Sequence, residues 1–370
     1  MFHLAVFASN NNGLGTWKRI GSLHREIAIF KRFAQDGWNI SLYTYDRSRK
    51  LPDIGFAAKV HSQWPFLVPK KLGFLYRHLL PFLFFRQGRK ADIIITNQAH
   101  SSGTAILAGS LWAAKVIARC GYVYGESAQT LGKSGRRVRK RILQEKTTFE
   151  KAYRCIVPTK KLCQWVCENY GLPKEKIVVI PNYVDTEQFK PDTNAKKDFD
   201  ILCIARLVAK KRHRLLFDAL SGTQLKIHLI GNGRLKDKLK SLAKEKSLQV
   251  NITERVENSL LPQHINNSKI YVNLAQWEGH PKTLIEAMAC GCACIGAKSP
   301  GIENLILDGK TGVLVEPEPQ QIRNAIELLL KNKRLRLQLG ENARSYAVEQ
   351  FSLDKTFEQY KKVFREALME

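Results

Sequence analysis

Short runs of β-branched and aromatic residues alternate along this chain with longer segments whose apolar positions recur at helical spacing. That alternation predicts βαβ units and parallel sheets. In the first half the strand-like runs are residues 2–7, 40–45, 92–96, 122–124, 155–158 and 177–180, with helix-like segments such as 20–35 and 103–119 between them. After Pro181 the pattern restarts, with strand-like runs at 200–205, 225–230, 250–253, 270–274, 293–297 and 312–315. The stretch 186–197 is polar and carries Pro191, which places the linker there. The expected domains are 1–186, joined by a terminal helix 352–370, and 187–351. That terminal stretch sets Phe357, Tyr360, Val363, Phe364 and Ala367 on one helical stripe, suited to packing back on the first domain. No short-period repeat is present, which excludes a solenoid.

Length and composition agree with two α/β domains. A chain of 370 residues is too long for one core, and its 44% apolar and 25% charged shares exclude a disordered or fibrous protein. The charge adds something new. The formal net charge is +27, and residues 1–190 hold 31 basic against 12 acidic side chains, so the first half meets most of any anionic surface. No uncharged apolar run approaches the roughly 18–20 residues of a transmembrane helix. Residues 1–8 have no basic region ahead of them and no cleavage-type site behind, so they read as a buried first strand rather than a signal peptide. The expectation is a cytoplasmic chain. Of the eight cysteines, Cys163 and Cys167 lie one turn apart and Cys290, Cys292 and Cys294 alternate, which is not zinc spacing; they read as buried thiols in a reducing compartment.

Open parallel sheets bind ligands beyond the carboxyl ends of their strands, so the chemistry should follow strands. After the first strand, Gly13 and Gly15 sit in a strand-to-helix turn that could cradle an anion or could simply be tight. After the strand at 200–205, Arg206 and Lys211 put two positive charges at the ligand edge, suited to a diphosphate; in so basic a chain a solvated loop is the plain alternative. Gly231 and Gly233 form a second glycine turn. The most diagnostic run is 276–291. There Glu278 lies in a loop after a strand, beside the amides of a helix N-terminus, and Glu286 lies eight positions on, within the helix. A buried carboxylate at Glu286 needs a partner, either a ribose diol or a structural cation. The pair Asp198 and Asp200 enters a strand instead of leaving one, so it reads as incidental and no metal is expected.

These elements together resemble the retaining glycosyltransferases of family 4, with the GT-B fold. The resemblance rests on Pro181-Asn182-Tyr183-Val184-Asp185 through Phe189 and Pro191, and on Arg206-Leu207 with Lys211. It also takes in Gly231-Asn232-Gly233, Glu278-x₇-Glu286 with its Ala-Met-Ala-Cys-Gly tail, Gly301-Ile302-Glu303, and Asp308-Gly309-x-x-Gly312. It implies two Rossmann-like parallel-sheet domains facing across a cleft, a nucleotide-sugar donor in the second and an acceptor in the first. Arg206 and Lys211 would hold the diphosphate. Glu278 would touch the sugar hydroxyls with Gly279, His280, Pro281, Lys282 and Thr283 around it, and Glu286 would bind the ribose. Retention of anomeric configuration, without a metal or other cofactor, is also implied. Many family members carry a histidine after the strand near position 124. Here Tyr124-Gly125-Glu126 stands instead, which leaves His100 and Glu126 as acceptor-side candidates.

The segments 64–86 and 136–146 mix cations with leucines, the former with aromatics as well, and suit an anionic membrane surface, although a core helix with a solvated basic face has the same pattern. The expected partners are a nucleotide sugar and a lipid-linked or cell-envelope saccharide, met at the inner face of the membrane. Two other classes compete. A nucleic-acid-binding protein would explain the charge but lacks any recognition motif, and a sugar-nucleotide epimerase on the same scaffold would need no acceptor.

Overall fold

The computed structural model describes residues 1–9, 12–46, 51–61, 73–99 and 102–369, and in it the chain forms two compact units. Unit 1 is Met1–Pro181 with Thr356–Glu370, and unit 2 is Asn182–Lys355. The division falls just upstream of the polar stretch at 186–197, because Val184 and Phe189 are already buried in the core of unit 2.

Unit 1 runs β1 (His3–Phe7), α1 (Leu14–Arg19), α2 (Leu23–Gln35), β2 (Asn39–Tyr43), β3 (Lys59–His61), α3 (Gly73–Leu83), α4 (Phe85–Gly88), β4 (Ile93–Thr96), α5 (Gly103–Trp112), β5 (Lys115–Arg119), α6 (Tyr124–Thr130), α7 (Arg136–Lys151), β6 (Arg154–Val157), α8 (Lys160–Tyr170) and β7 (Ile177–Val179). Its seven described strands form one parallel sheet in the order β3-β2-β1-β4-β5-β6-β7. The order reverses direction at β1, the topological switch where such sheets open toward ligands.

Unit 2 runs β8 (Phe199–Ile204), α9 (His213–Leu220), β9 (Lys226–Ile230), α10 (Lys236–Glu245), β10 (Gln249–Thr253), α11 (Leu261–Asn266), β11 (Ser268–Asn273), α12 (Lys282–Ala289), β12 (Ala293–Ala297), β13 (Val313–Val315), α13 (Pro319–Lys331) and α14 (Lys333–Phe351). Its parallel sheet has the order β10-β9-β8-β11-β12-β13, with the switch at β8. Buried aliphatic side chains cover both faces of this sheet, one layer under α9, α10 and α13 and the other under α11, α12 and α14. The final helix, α15 (Leu353–Met369), returns to unit 1. Phe357 and Phe364 meet Phe33 at ring-centroid distances of 4.8 and 5.1 Å, as the apolar stripe predicts.

Three local expectations are corrected. The helix expected over 103–119 ends at Trp112, where Ala113 turns left-handed (φ 56°), and the remainder is β5. A run with apolar residues at nearly every position reads alike as helix or strand, so its periodicity could not separate the two. The strand expected at 122–124 is instead the entry to α6. The helix expected over 20–35 starts only at Leu23, because Gly21, with a φ of 76°, separates α1 from α2. The short edge strand β3 has no apolar run and escaped the pattern.

Candidate functional site

The site in unit 2 is assembled from the loops that leave β8, β9, β11 and β12. The β8 and β9 loops are joined through their backbones: Leu207 N donates to Asn232 O at 3.0 Å and Leu235 N to Leu207 O at 3.1 Å. Glycine is required here. A Cβ on Gly231 (φ 150°) would stand 2.0 Å from the carbonyl oxygen of Ala205, and one on Gly233 would stand 2.4 Å from that of Leu207. The two glycines thus act first by letting these loops touch.

Arg206 stands two residues beyond β8 and is exposed. Its carbonyl accepts from His213 Nε2 at 3.1 Å; burial lowers the pKa of that histidine and keeps the ring neutral. Five residues on, Lys211 Nζ pairs with Glu278 Oε1, and both side chains are mostly covered. The loop carrying Glu278 is fixed to the β8 loop and to the turn after β12. Gln276 N donates to Lys210 O (2.8 Å), the Lys210 ammonium lies 5.2 Å from the Trp277 ring centroid, and Glu278 N donates to Pro300 O (3.0 Å). Gly301 (φ 84°) permits that last approach, since a Cβ there would fall 2.2 Å from the Glu278 carbonyl oxygen.

After Gly279, His280 is turned inward. It packs edge-on against Phe351 with ring centroids 5.4 Å apart, and burial lowers its pKa to about 3. Its contribution to a ligand would therefore come from its backbone. Its carbonyl is already held by Asn182 Nδ2 at 2.8 Å. Pro281 caps α12 and Lys282 opens it; Thr283 Oγ1 bonds the Tyr271 hydroxyl at 2.9 Å, which seats the helix on β11. Glu286, 1% exposed, lies in the second turn and accepts from Asn258 Nδ2 at 2.9 Å. Asn182 was already part of the run 181–185 singled out in the sequence, whereas Asn258 and Tyr271 were missed, one lying in an ordinary polar stretch and the other within a strand-like run. Of the aspartate pair, Asp200 is tied to Lys269 at 2.8 Å.

In unit 1 the glycine turn after β1 is filled by a carboxylate. Gly15 N donates to Asp46 Oδ1 at 3.1 Å, and a Cβ on Gly13 would lie 2.6 Å from Asp46 Oδ2. Glu126 is buried in the first turn of α6 and accepts from Thr130 Oγ1 at 3.3 Å. The N-terminal amides of Tyr124 and Gly125 go to Glu145 at 2.8 and 3.0 Å; this carboxyl, raised by burial to about 6, also accepts from the Tyr170 hydroxyl. His100 lies outside the described residues, as do residues 64–72 of the aromatic-basic segment. All eight cysteines are free thiols, and all but Cys167 are buried.

Two family models match in succession: Glycosyltransferase Family 4 over residues 27–188 and Glycosyl transferases group 1 over residues 184–346. A relative in Campylobacter jejuni is N-acetylgalactosamine-N,N'-diacetylbacillosaminyl-diphospho-undecaprenol 4-alpha-N-acetylgalactosaminyltransferase. It is 29% identical over 188 residues, 49% of this chain and 51% of that protein. The poly(ribitol-phosphate) alpha-N-acetylglucosaminyltransferase of Staphylococcus aureus is 26% identical, over 51% of this chain and 40% of its own length. The chain spans about half the length of the curated relatives it matches. Among solved structures, sucrose-phosphate synthase from Thermosynechococcus elongatus superposes with a TM-score of 0.82 at 18% identity, covering 99% of each chain. Anabaena HepE in complex with UDP and glucose gives 0.76 at 17% identity, covering 99% of this chain and 100% of its own. Likeness at this identity concerns the fold.

Proposed function

The chain belongs to the family 4 glycosyltransferases with the GT-B fold, and from that premise we propose that it moves a sugar from a nucleotide-sugar donor to a lipid-linked or cell-envelope saccharide, with retention and without a metal. The observation that carries this reading is the convergence in unit 2 of the Lys211–Glu278 pair, the exposed Arg206 and the buried Glu286 on one sheet edge. The names of the relatives add that proteins of this type act on a diphospho-undecaprenol saccharide and on poly(ribitol phosphate). A structural neighbour holds UDP with glucose.

Breaking a sugar–diphosphate bond requires stabilising the charge that develops on the leaving group. Arg206 and Lys211 supply that stabilisation. Arg206 presents a fork suited to phosphate oxygens, and Lys211 contributes a point charge that Glu278 holds in place until a donor arrives. As the diphosphate takes Lys211, Glu278 is released to accept from the sugar hydroxyls, and Glu286 accepts from the ribose diol. The transition state has oxocarbenium character. The two glutamates have separate assignments, one to sugar and one to ribose, so they do not act as a glycosidase pair. The acceptor is met by unit 1 at the inner face of the membrane, where its basic surface holds the protein peripherally.

A thermal-shift screen against UDP-, GDP-, ADP- and dTDP-sugars tests the reading. One class of donor should raise the melting temperature, and Lys211→Ala should abolish the rise. If no nucleotide sugar stabilises the protein, the donor assignment fails. Release of an altered sugar without any acceptor would identify an epimerase instead.

A further inference from the structure

The donor chemistry leaves unused a groove of about 600 Å³ in unit 1, formed by α3, α5 and α7. Arg77 and His78 line it from α3, Thr104 from α5, and Lys140, Gln144 and Lys151 from α7. The α7 residues recur at helical spacing, so one stripe of that helix faces the groove. Among its described lining residues there is no carboxylate, and Arg77, Lys140 and Lys151 form no ion pair with a described residue. Thr104, near the start of α5, brings a hydroxyl to the groove wall. Three uncompensated cations around a hydroxyl and an amide make up the donor set of a phosphate site.

The surroundings narrow the class of phosphate. Leu143 lines the groove and is more than half exposed, as are Leu79, Phe82 and Leu83 of α3; Leu75 and Phe82 lie three and four positions from the groove residue His78, so an apolar rim runs along that side of α3. A free phosphate gains nothing from such a rim. A lipid does, because its chains cover the leucines and phenylalanines while its phosphate enters the groove.

We infer that the groove between α3, α5 and α7 seats the phosphate of a membrane lipid, the class to which a lipid-linked acceptor belongs. This deepens the proposed envelope reading and rests on it. Bound there, the lipid holds unit 1 at the bilayer by one recognised headgroup in addition to diffuse charge.

Sedimentation of the full chain with phosphatidylglycerol–phosphatidylcholine vesicles tests this against an internal control. Arg77→Gln/Lys140→Gln/Lys151→Gln should lower vesicle affinity by about tenfold or more. Arg136→Gln/Arg137→Gln/Arg139→Gln removes the same charge nearby but outside the groove, and should lower it less. Equal losses would mean a diffuse basic surface and would overturn the site. Short-chain phosphatidic acid should bind the wild type and not the groove variant, whereas inorganic phosphate binding as tightly as that lipid would overturn the lipid assignment. Should the groove variant melt early, Leu79→Ser/Phe82→Ser gives a second reading. It leaves the groove cations in place and should weaken vesicle binding while retaining inorganic phosphate competition against short-chain phosphatidic acid; unchanged vesicle binding would overturn the rim's role and the inference with it. Nucleotide-sugar binding is measured in the same preparations. Its absence in the wild type would sink the donor reading while leaving the groove result to stand by itself.

Discussion

Glu286 and Lys211 show how little room this site leaves for a neutral substitute. Glu286 is buried in α12 with Asn258 donating to Oε1. In Glu286→Gln the side-chain carbonyl can still accept from Asn258, so the fold should persist, but the charge-assisted bond to a ribose diol goes. Nucleotide affinity should fall by about 1.5–3 kcal/mol, measured by calorimetric titration, with little change in melting temperature. Unchanged affinity would return Glu286 to a structural role. Both glutamates were legible in the sequence because two carboxylates in a glycine- and alanine-rich stretch are conspicuous. The Lys211–Glu278 pair was not, since the partners are 67 positions apart and only the adjacency of β8 and β11 brings them together.

The loops and helices around these residues are set by backbone approach and aromatic packing. Gly301 has a left-handed backbone and almost touches the Glu278 carbonyl; Gly309, also left-handed (φ 69°), has open space around its Cβ position. Gly301→Ala should therefore cost roughly 1–3 kcal/mol and also displace Glu278, abolishing the donor-induced thermal shift. Gly309→Ala should show the strain without the loss of donor binding. A donor response surviving in Gly301→Ala would mean that the turn after β12 does not position Glu278. On α15, Phe364 is fully buried and stacks on Phe33 at 5.1 Å, with Trp38 at 5.8 Å. Phe364→Ala should destabilise the protein by about 3–5 kcal/mol in denaturant titration. The stripe that predicted this helix was visible in the sequence; its partners on α2 and before β2 were not.

Across the whole molecule the buried imidazoles set the response to acid. Burial lowers the pKa of His3, His61, His213, His228, His264 and His280, with His228 at about 4 and His280 at about 3. The unfolded chain binds protons at these sites near pH 6.5 and the folded one does not, so stability rises with pH through this window and is lost as pH falls from about 6.5 toward 4. His228 contributes in this sense, since its folded pKa lies at about 4. Glu145 acts in the opposite sense: its folded pKa is raised from 4.5 to about 6, so stability declines as pH rises through that interval. One carboxyl against six imidazoles leaves the net slope positive. Melting temperature recorded from pH 7 to pH 4 should fall, and less steeply in His228→Phe. A flat profile would mean that these rings titrate freely in the folded state.

The sequence by itself determined the class of fold, the restart of the strand pattern after Pro181, the terminal helix and the identity of the charged residues at the sheet edge. All of these follow from local periodicity, from glycines where the chain must turn, and from charges where a core cannot hold them. Tertiary structure alone decided the rest. It ended α5 at Ala113 and opened β5, since a run with apolar residues at nearly every position carries no period that separates helix from strand. It turned His280 inward, gave the Gly15 amide to Asp46 and joined Lys211 to Glu278, because each of these depends on a partner distant in sequence, and only the crossover connections of a parallel sheet bring such partners within reach.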